Sequence, residues 1–258
     1  MVTPMRVASL SPAVTEILFA IGAGGLIVCT DQFSDEPEAA KLLPHLKDHQ
    51  KIDIEALASY KPEIIFTSTL VQKKLAEELR TADKWAVIHQ DPRSLWDIYA
   101  DIRAIGTLVG KEKEAGELVI TIQNGFSDVR KKGKLLGSKC RVYVEEWHHP
   151  PMASGNWVPE VVKEAGGQAF GLPVGAPSRE VSLGEITAFD PDMIVLSICG
   201  AGRFADKTLL TKREGWNTLR AVKEDRLFVI DDSLLNRPGP RLVMGAQRLY
   251  SWMFQVLH

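Results

Sequence analysis

The chain lacks most of the features that would place it quickly. Its three cysteines, Cys29, Cys140 and Cys199, are far apart and odd in number. They form no Cys-x-x-Cys pair and no zinc spacing, and each lies in or beside an apolar run, so each reads as a buried free thiol. Nothing in this cysteine usage demands an oxidising compartment. Lys and Arg number 31 against 33 Asp and Glu, scattered along the chain. With no basic stripe or cluster, neither nucleic acid nor an anionic membrane surface is expected as a partner. No apolar run approaches membrane-spanning length. The first residues show no basic segment, apolar stretch and small-residue cleavage site in succession. The expectation is a periplasmic or cell-surface protein if an export signal was removed, and a cytoplasmic one if the sequence is complete.

Catalytic signatures are missing as well. There is no Gly-x4-Gly-Lys-Ser/Thr phosphate loop, and Ser154-Gly155 lacks the Gly-x-Ser-x-Gly elbow. The glycines at 22, 24 and 25 follow a helix rather than a strand, so they make no dinucleotide fingerprint. The histidines at 45, 49, 89, 148, 149 and 258 do not form His-Glu-x-x-His.

What is present is an ordinary globular composition, 45% hydrophobic and 25% charged over 258 residues. A chain of this size buries about three quarters of its surface. It also contains an internal echo. Residues 54–68, "IEALASYKPEIIFTS", match 183–197, "LGEITAFDPDMIVLS", at a constant offset of 129. Ile54, Leu57 and Tyr60 correspond to Leu183, Ile186 and Phe189, at helical spacing. Lys-Pro-Glu or Asp-Pro-Asp then stops the helix. A short apolar run follows, as in a strand buried on both faces.

Around the echo the spacing predicts two α/β lobes. The first has strands near 6–10, 26–29 and 85–88 and helices near 12–22 and 71–81. The second has strands at 141–146 and 226–230 and helices at 157–165, 215–221 and from 240, with Gly166-Gly167 ending the helix before it. Residues 112–136 carry Leu118, Ile122 and Phe126 at i, i+4 and i+8, which predicts a joining helix. The expected fold class is α/β: two Rossmann-like lobes joined by a single long helix, with a ligand cleft between them. The expected divisions are 1–93, 94–138 and 139–258. With no Gly-, Ser- or Pro-rich linker, little motion between the lobes is expected.

In doubly wound sheets, ligands sit beyond the carboxyl ends of the strands. The candidate segments are therefore Ser9–Pro12, Thr30–Phe33, Thr67–Thr69, Trp147–Trp157, Cys199–Arg203 and Asp231–Arg241. Candidate ligand residues on them are Ser11, Asp31, Phe33, Ser68, Trp147, His148, Pro151, Trp157, Arg203, Asn236, Arg237 and Arg241, with Arg179 nearby. Ser9-Leu-Ser-Pro12 reads either as a helix end receptive to an anion or as a plain helix cap. Glu145, Glu146, His148 and His149 suggest a metal site, but side chains of neighbours on an extended strand point to opposite sides. A flat organic ligand fits the stretch better: Pro150-Pro151 stiffens it, and Trp147 and Trp157 offer wide apolar faces. The alternative for Trp157 is a place in the core. Arg179 reads either as a cleft residue or as solvated. Arg237 and Arg241, held by Pro-Gly-Pro, suit carboxylates, amides or phosphate.

In order along the chain, "RVASLSPAVTEILFAIGAG" (6–24), "TDQFSDEP" (30–37), "IEALASYKPEIIF" (54–66), "HPPMASG" (149–155), "EVVKEAGG" (160–167), "VSLGEITAFDPDMIVLS" (181–197) and "NRPGPRLVMGAQRL" (236–249) resemble the vitamin B12 and iron-siderophore type of periplasmic binding protein. These are substrate-binding components of ABC importers, with two α/β lobes bridged by one long helix. The nearest branch is the cobalamin-binding one, through "SLSPAVTE", "PPMASG" and "RPGPR". The resemblance implies a binding protein rather than an enzyme, with no intrinsic cofactor. Its ligand would be cobalamin or a related metal chelate, its partner an ABC-importer permease, and its working state a monomer. It implies cleft residues Ser11, Phe33, the 147–155 loop, Arg179, Asn236 and Arg237, with Phe33 where the family has an aromatic against the corrin. Ser68 stands where the cobalamin protein has a Trp, so one stacking face is missing. Permease docking in the family uses an exposed acid on each lobe; Glu77 or Glu78 and Asp206 or Glu214 are the nearest here, with Lys73-Lys74 at the first position. His148 is a candidate axial ligand to a bound corrinoid. The competing readings are a siderophore or haem binder, a bare metal binder through His148 and His149, and an enzyme on a related scaffold using Cys29 and Cys199.

Overall fold

The computed structural model describes residues 5–258. They form two α/β units. The first comprises the described residues up to Pro92 together with Asp97–Ile120; the second comprises Arg93–Trp96 and Thr121–His258.

The first unit is built on a five-stranded parallel sheet in the order β3-β2-β1-β4-β5. Its strands are β1 (Val7–Ser9), β2 (Ile27–Asp31), β3 (His45–Leu46), β4 (Ile64–Ser68) and β5 (Ala86–Gln90). Helices α1 (Pro12–Ala20), α2 (Ile54–Ser59) and α3 (Lys73–Thr81) connect them. Asp53 caps α2 by accepting from the Glu55 and Ala56 amides, and the helix ends ahead of Pro62. The apolar run after that proline becomes β4, all five residues of it buried. Ala8, Leu10, Cys29, Leu57, Ile65, Leu75, Leu79 and Val87 pack into one core. Each fully buried aliphatic side chain there contributes about 1.5–3 kcal/mol relative to exposure.

The second unit carries a mixed sheet. Strands β6 (Arg141–His148), β10 (Met193–Leu196) and β11 (Leu227–Val229) run parallel. The short β8 (Gln168–Ala169) pairs parallel with the start of β6. On the same edge of β6, away from β10, β7 (Pro151–Ala153) pairs antiparallel with β6, and β9 (Arg179–Glu180) antiparallel with β7. Helices α6 (Val158–Glu164), α7 (Leu183–Phe189), α8 (Thr208–Thr211), α9 (Arg220–Lys223) and α10 (Leu242–Leu257) complete it. The echo is visible here: α7 starts on a Ser182–Glu185 capping box, ends before Pro191, and β10 is buried throughout. Gly166 adopts φ +95° just past α6, the conformation expected of a helix terminator.

The long joining helix exists as α5 (Glu112–Gly133), but α4 (Leu95–Leu108) precedes it. Residues 97–120 fall in the first unit, and 94–96 and 121–138 in the second. The helix expected at 215–221 is instead a 3-10 turn at Trp216–Thr218 and then α9. Leu219 between them is extended, at ψ 136°, which interrupts the helical run.

No helix among the described residues is long and apolar enough to cross a membrane.

Candidate functional site

In the first unit, β1, β2 and β4 lie side by side and parallel, so their carboxyl ends share one edge. Ser11, Asp31 and Ser68 all sit there, and all are buried. Ser11 does not cap α1 with its side chain; its backbone is extended, and Pro12 begins the helix. Ser34 donates to Asp31 Oδ1 at 2.6 Å, Thr15 and Ser34 hydroxyls meet at 2.9 Å, and Ser9 and Thr15 hydroxyls at 2.8 Å. This chain of hydroxyls locks the ends of β1 and β2 to the first turn of α1.

Phe33 is different. It is 42% exposed, and its ring meets the His49 ring edge-on at 4.9 Å and 76°. An aromatic left open but braced from one side is a face available to a ligand. The ends of β1 and β4 are held by Gln72, a residue the sequence reading did not single out. Ser68 N donates to Gln72 Oε1 at 2.8 Å, and Gln72 Nε2 donates to the carbonyls of Leu10 at 2.5 Å and His49 at 2.8 Å. A lone glutamine between an apolar pair and two lysines gives no local signal of that role.

In the second unit, residues 147–155, expected as a stiff loop, are partly strand. β6 continues to His148 and turns at His149-Pro150 into β7, with Glu145 opposite Ala153 and Trp147 opposite Met152. A register irregularity lies between Glu145 and Trp147. The Trp147 and His148 rings stack at 5.7 Å and 24°, although strict alternation would have separated them. Trp147 is 43% exposed, and its indole N–H donates to the His149 carbonyl at 3.1 Å. His148 is half-buried. Pro151 is half-buried at the start of β7.

Trp157 offers no face. It is 4% exposed, and its indole N–H donates to the Leu235 carbonyl at 2.7 Å, inside the second unit. Arg179 is exposed and engaged with Glu185 at 2.8 Å, and its own N–H also reaches the Glu180 carbonyl. Donors from Arg179 and Ser182 hold the Glu185 carboxyl down to about 2. The Arg203 guanidinium lies 5.2 Å from the Phe204 ring centre. Asn236 is a bracket: it accepts from Ser197 Oγ at 2.9 Å, and donates to the Ser197 carbonyl at 2.8 Å and to Cys199 Sγ at 3.2 Å. Arg237 and Arg241 are half-buried, Arg241 at the start of α10 and Arg237 in the turn before it.

Beneath β6 and β10 lies a cavity of about 220 Å³, lined by Glu145, His148, Leu196, Ile198, Phe204 and Leu209, among others. It is smaller than the roughly 300–1,000 Å³ of a site that encloses a drug-sized ligand. Glu145 is fully buried but matched, accepting two bonds from Arg213 and one from Tyr143. Burial pushes the neighbouring Glu146 carboxyl up, against the hydroxyls of Ser178 and Ser154. Among the described residues, no group of three or more His, Cys, Asp or Glu side chains is placed to hold a metal ion. Glu145, the buried member of the four residues that suggested one, is committed to Arg213 and Tyr143.

The sequence profile of the family described as "Periplasmic binding protein" matches residues 7–234. An uncharacterized ABC transporter substrate-binding lipoprotein of Bacillus subtilis (strain 168) is 25% identical over 95% of this chain and 79% of its own length. The vitamin B12-binding protein of Pectobacterium carotovorum subsp. carotovorum (strain PC1) is 24% identical, over 96% of this chain and 88% of its own. Among solved structures, the periplasmic heme-binding protein RhuT from Roseiflexus sp. RS-1 in apo form superposes with a TM-score of 0.85 at 20% identity, over 99% of this chain and all of its own.

Proposed function

Because the chain belongs to the periplasmic binding protein family, we propose that it captures a corrinoid of the vitamin B12 type, without chemistry of its own, for delivery to an ABC importer. The observation that carries the ligand class is the exposed aromatic at a strand end of each unit, Phe33 in the first and Trp147 in the second. Each is braced by a histidine ring rather than buried. Broad apolar faces suit a large flat chelate. The motifs "SLSPAVTE", "PPMASG" and "RPGPR" and the vitamin B12-binding relative favour a corrin over other chelates. Arg237 and Arg241 supply donors for its amide or carboxylate periphery. The protein works as a monomer.

The second reading is haem or an iron-siderophore, favoured by the likeness to a heme-binding protein and by Ser68 standing where a stacking tryptophan was expected.

Titration of metal-free protein with cyanocobalamin, read by tryptophan fluorescence and the visible corrin spectrum, tests the reading. One-to-one saturation at micromolar concentration or below is the expected result, with Phe33→Ala weakening it about tenfold, which is 1.4 kcal/mol. Absence of saturation with cyanocobalamin, alongside saturation with hemin, would replace the corrinoid by haem.

A further inference from the structure

We infer that Gln72 is a positioning residue for ligand binding in the first unit, acting through the Phe33–His49 pair; this rests on the ligand reading above. Its side chain is 3% exposed and lies at the end of the 3-10 turn that follows β4. A glutamine amide has one carbonyl to accept with and two N–H groups to give. Here both ends of it are used, on three segments remote from one another in sequence. The carbonyl takes the Ser68 amide at the end of β4. The NH2 group reaches the Leu10 carbonyl, one residue before Ser11, and the His49 carbonyl. His49 is the residue whose ring meets Phe33. One buried amide thus fixes the end of β1, the end of β4 and the loop that braces the exposed aromatic.

The chemistry is particular to glutamine. A glutamate of the same size keeps the acceptor for Ser68 but turns a second oxygen toward two carbonyl oxygens. A methionine fills the volume and leaves the Ser68 N–H and both carbonyls without their partner. In either case the His49 loop loses its anchor, and Phe33 loses the ring that sets its edge.

The test compares wild type, Gln72→Met and Gln72→Glu, the last serving also if the methionine variant does not fold. Arg6→Met is the control. Arg6 also fastens loop carbonyls, those of Tyr60 and Lys61, but at the amino ends of β1 and β4. Cyanocobalamin affinity is measured well below the melting temperature of every variant, and the His49 ring protons are followed by NMR. The Gln72 variants are expected to bind at least tenfold more weakly and to lose the ring-current shift of His49, while Arg6→Met lowers Tm and leaves both readouts alone. A Gln72 variant binding within twofold of wild type overturns the inference, as does an Arg6→Met loss of equal size. Wild type that does not bind cyanocobalamin refutes the corrinoid reading instead; His49 signals unmoved in the Gln72 variants would then overturn the positioning role on their own.

Discussion

Arg213 grips Glu145 through two parallel hydrogen bonds, Nη1 to Oε2 and Nη2 to Oε1, both 2.9 Å. Glu145 is fully buried and Arg213 is partly buried. The guanidinium also lies over the Trp216 ring at 4.1 Å and donates to the His148 carbonyl at 2.9 Å. A carboxylate in the interior is tolerated only when it is paired and its remaining lone pairs are used. Tyr143 takes another position on it, and burial, reinforced by the adjacent Glu145 charge, pushes the Tyr143 hydroxyl well above its ordinary range. Arg213→Met should therefore cost about 3–5 kcal/mol, because it strands the Glu145 charge. The double variant Glu145→Gln/Arg213→Met should recover a good part of that loss. Urea unfolding of wild type and the two variants checks both statements; a single-variant loss under about 1 kcal/mol would mean that the pair is not structural.

The parts of the fold legible in the sequence were those fixed by local chemistry. Asp53 and Ser182 cap, Pro62 and Pro191 end, and the apolar runs behind them become the buried strands β4 and β10. The parts that were not legible depend on distant partners. Pro150-Pro151 reads as a stiff loop, yet Pro151 opens β7, because pairing with β6 and β9 outweighs the local preference. For Trp157 the sequence leaves a ligand face and a place in the core both open; the core partner, the Leu235 carbonyl that accepts from the buried indole, lies 78 residues away. The candidate site divides the same way. Phe33 comes just after β2, so its place was legible, whereas the ties at Leu10, His49 and Ser68 belong to Gln72, whose partners are 4, 23 and 62 residues away.

Gly155 tests the geometry of the β6–β7 region. A Cβ there would fall 2.4 Å from the Ala176 carbonyl oxygen and 2.5 Å from backbone atoms of Pro177 and Ser178. These are main-chain atoms, and the segment is tied down: Gly155 N donates to Ser178 Oγ, and Asn156 N to the Ala176 carbonyl. No side chain can swing aside to make room. Gly155→Ala should destabilise by about 2–3 kcal/mol, at the upper end of ordinary single substitutions. In the corrinoid reading it should also weaken binding by displacing the start of α6 and the hairpin before it. Denaturation midpoints and the cyanocobalamin titration measure the two effects, and wild-type stability in Gly155→Ala would contradict the packing described.

Asp101 sets a pH dependence that belongs to the first unit. It lies half-buried on α4, and its backbone carbonyl accepts from Gln90 Nε2 at 3.3 Å. Burial, reinforced by the charges of Asp97 and Asp91, pushes its carboxyl up to about 7. In the unfolded chain the same group titrates near 3.9. Between these values the unfolded chain releases the proton and the folded chain keeps it. The folded state then binds more protons, so this group's contribution to stability falls as pH rises through that window and is level above it. Below about pH 4 both states are protonated and the contribution is neutral. Asp101→Asn keeps the shape and removes the titration. It should match wild type at pH 4 and exceed it increasingly up to about pH 7. Above that the gain should hold near 1–2 kcal/mol, the side chain's partial exposure having screened the rest. Urea unfolding at half-unit intervals from pH 4 to 8.5 measures the difference. A gain that is the same at every pH would assign the effect to packing, and no gain above pH 7 would mean that Asp101 ionises in the folded protein as it does in water.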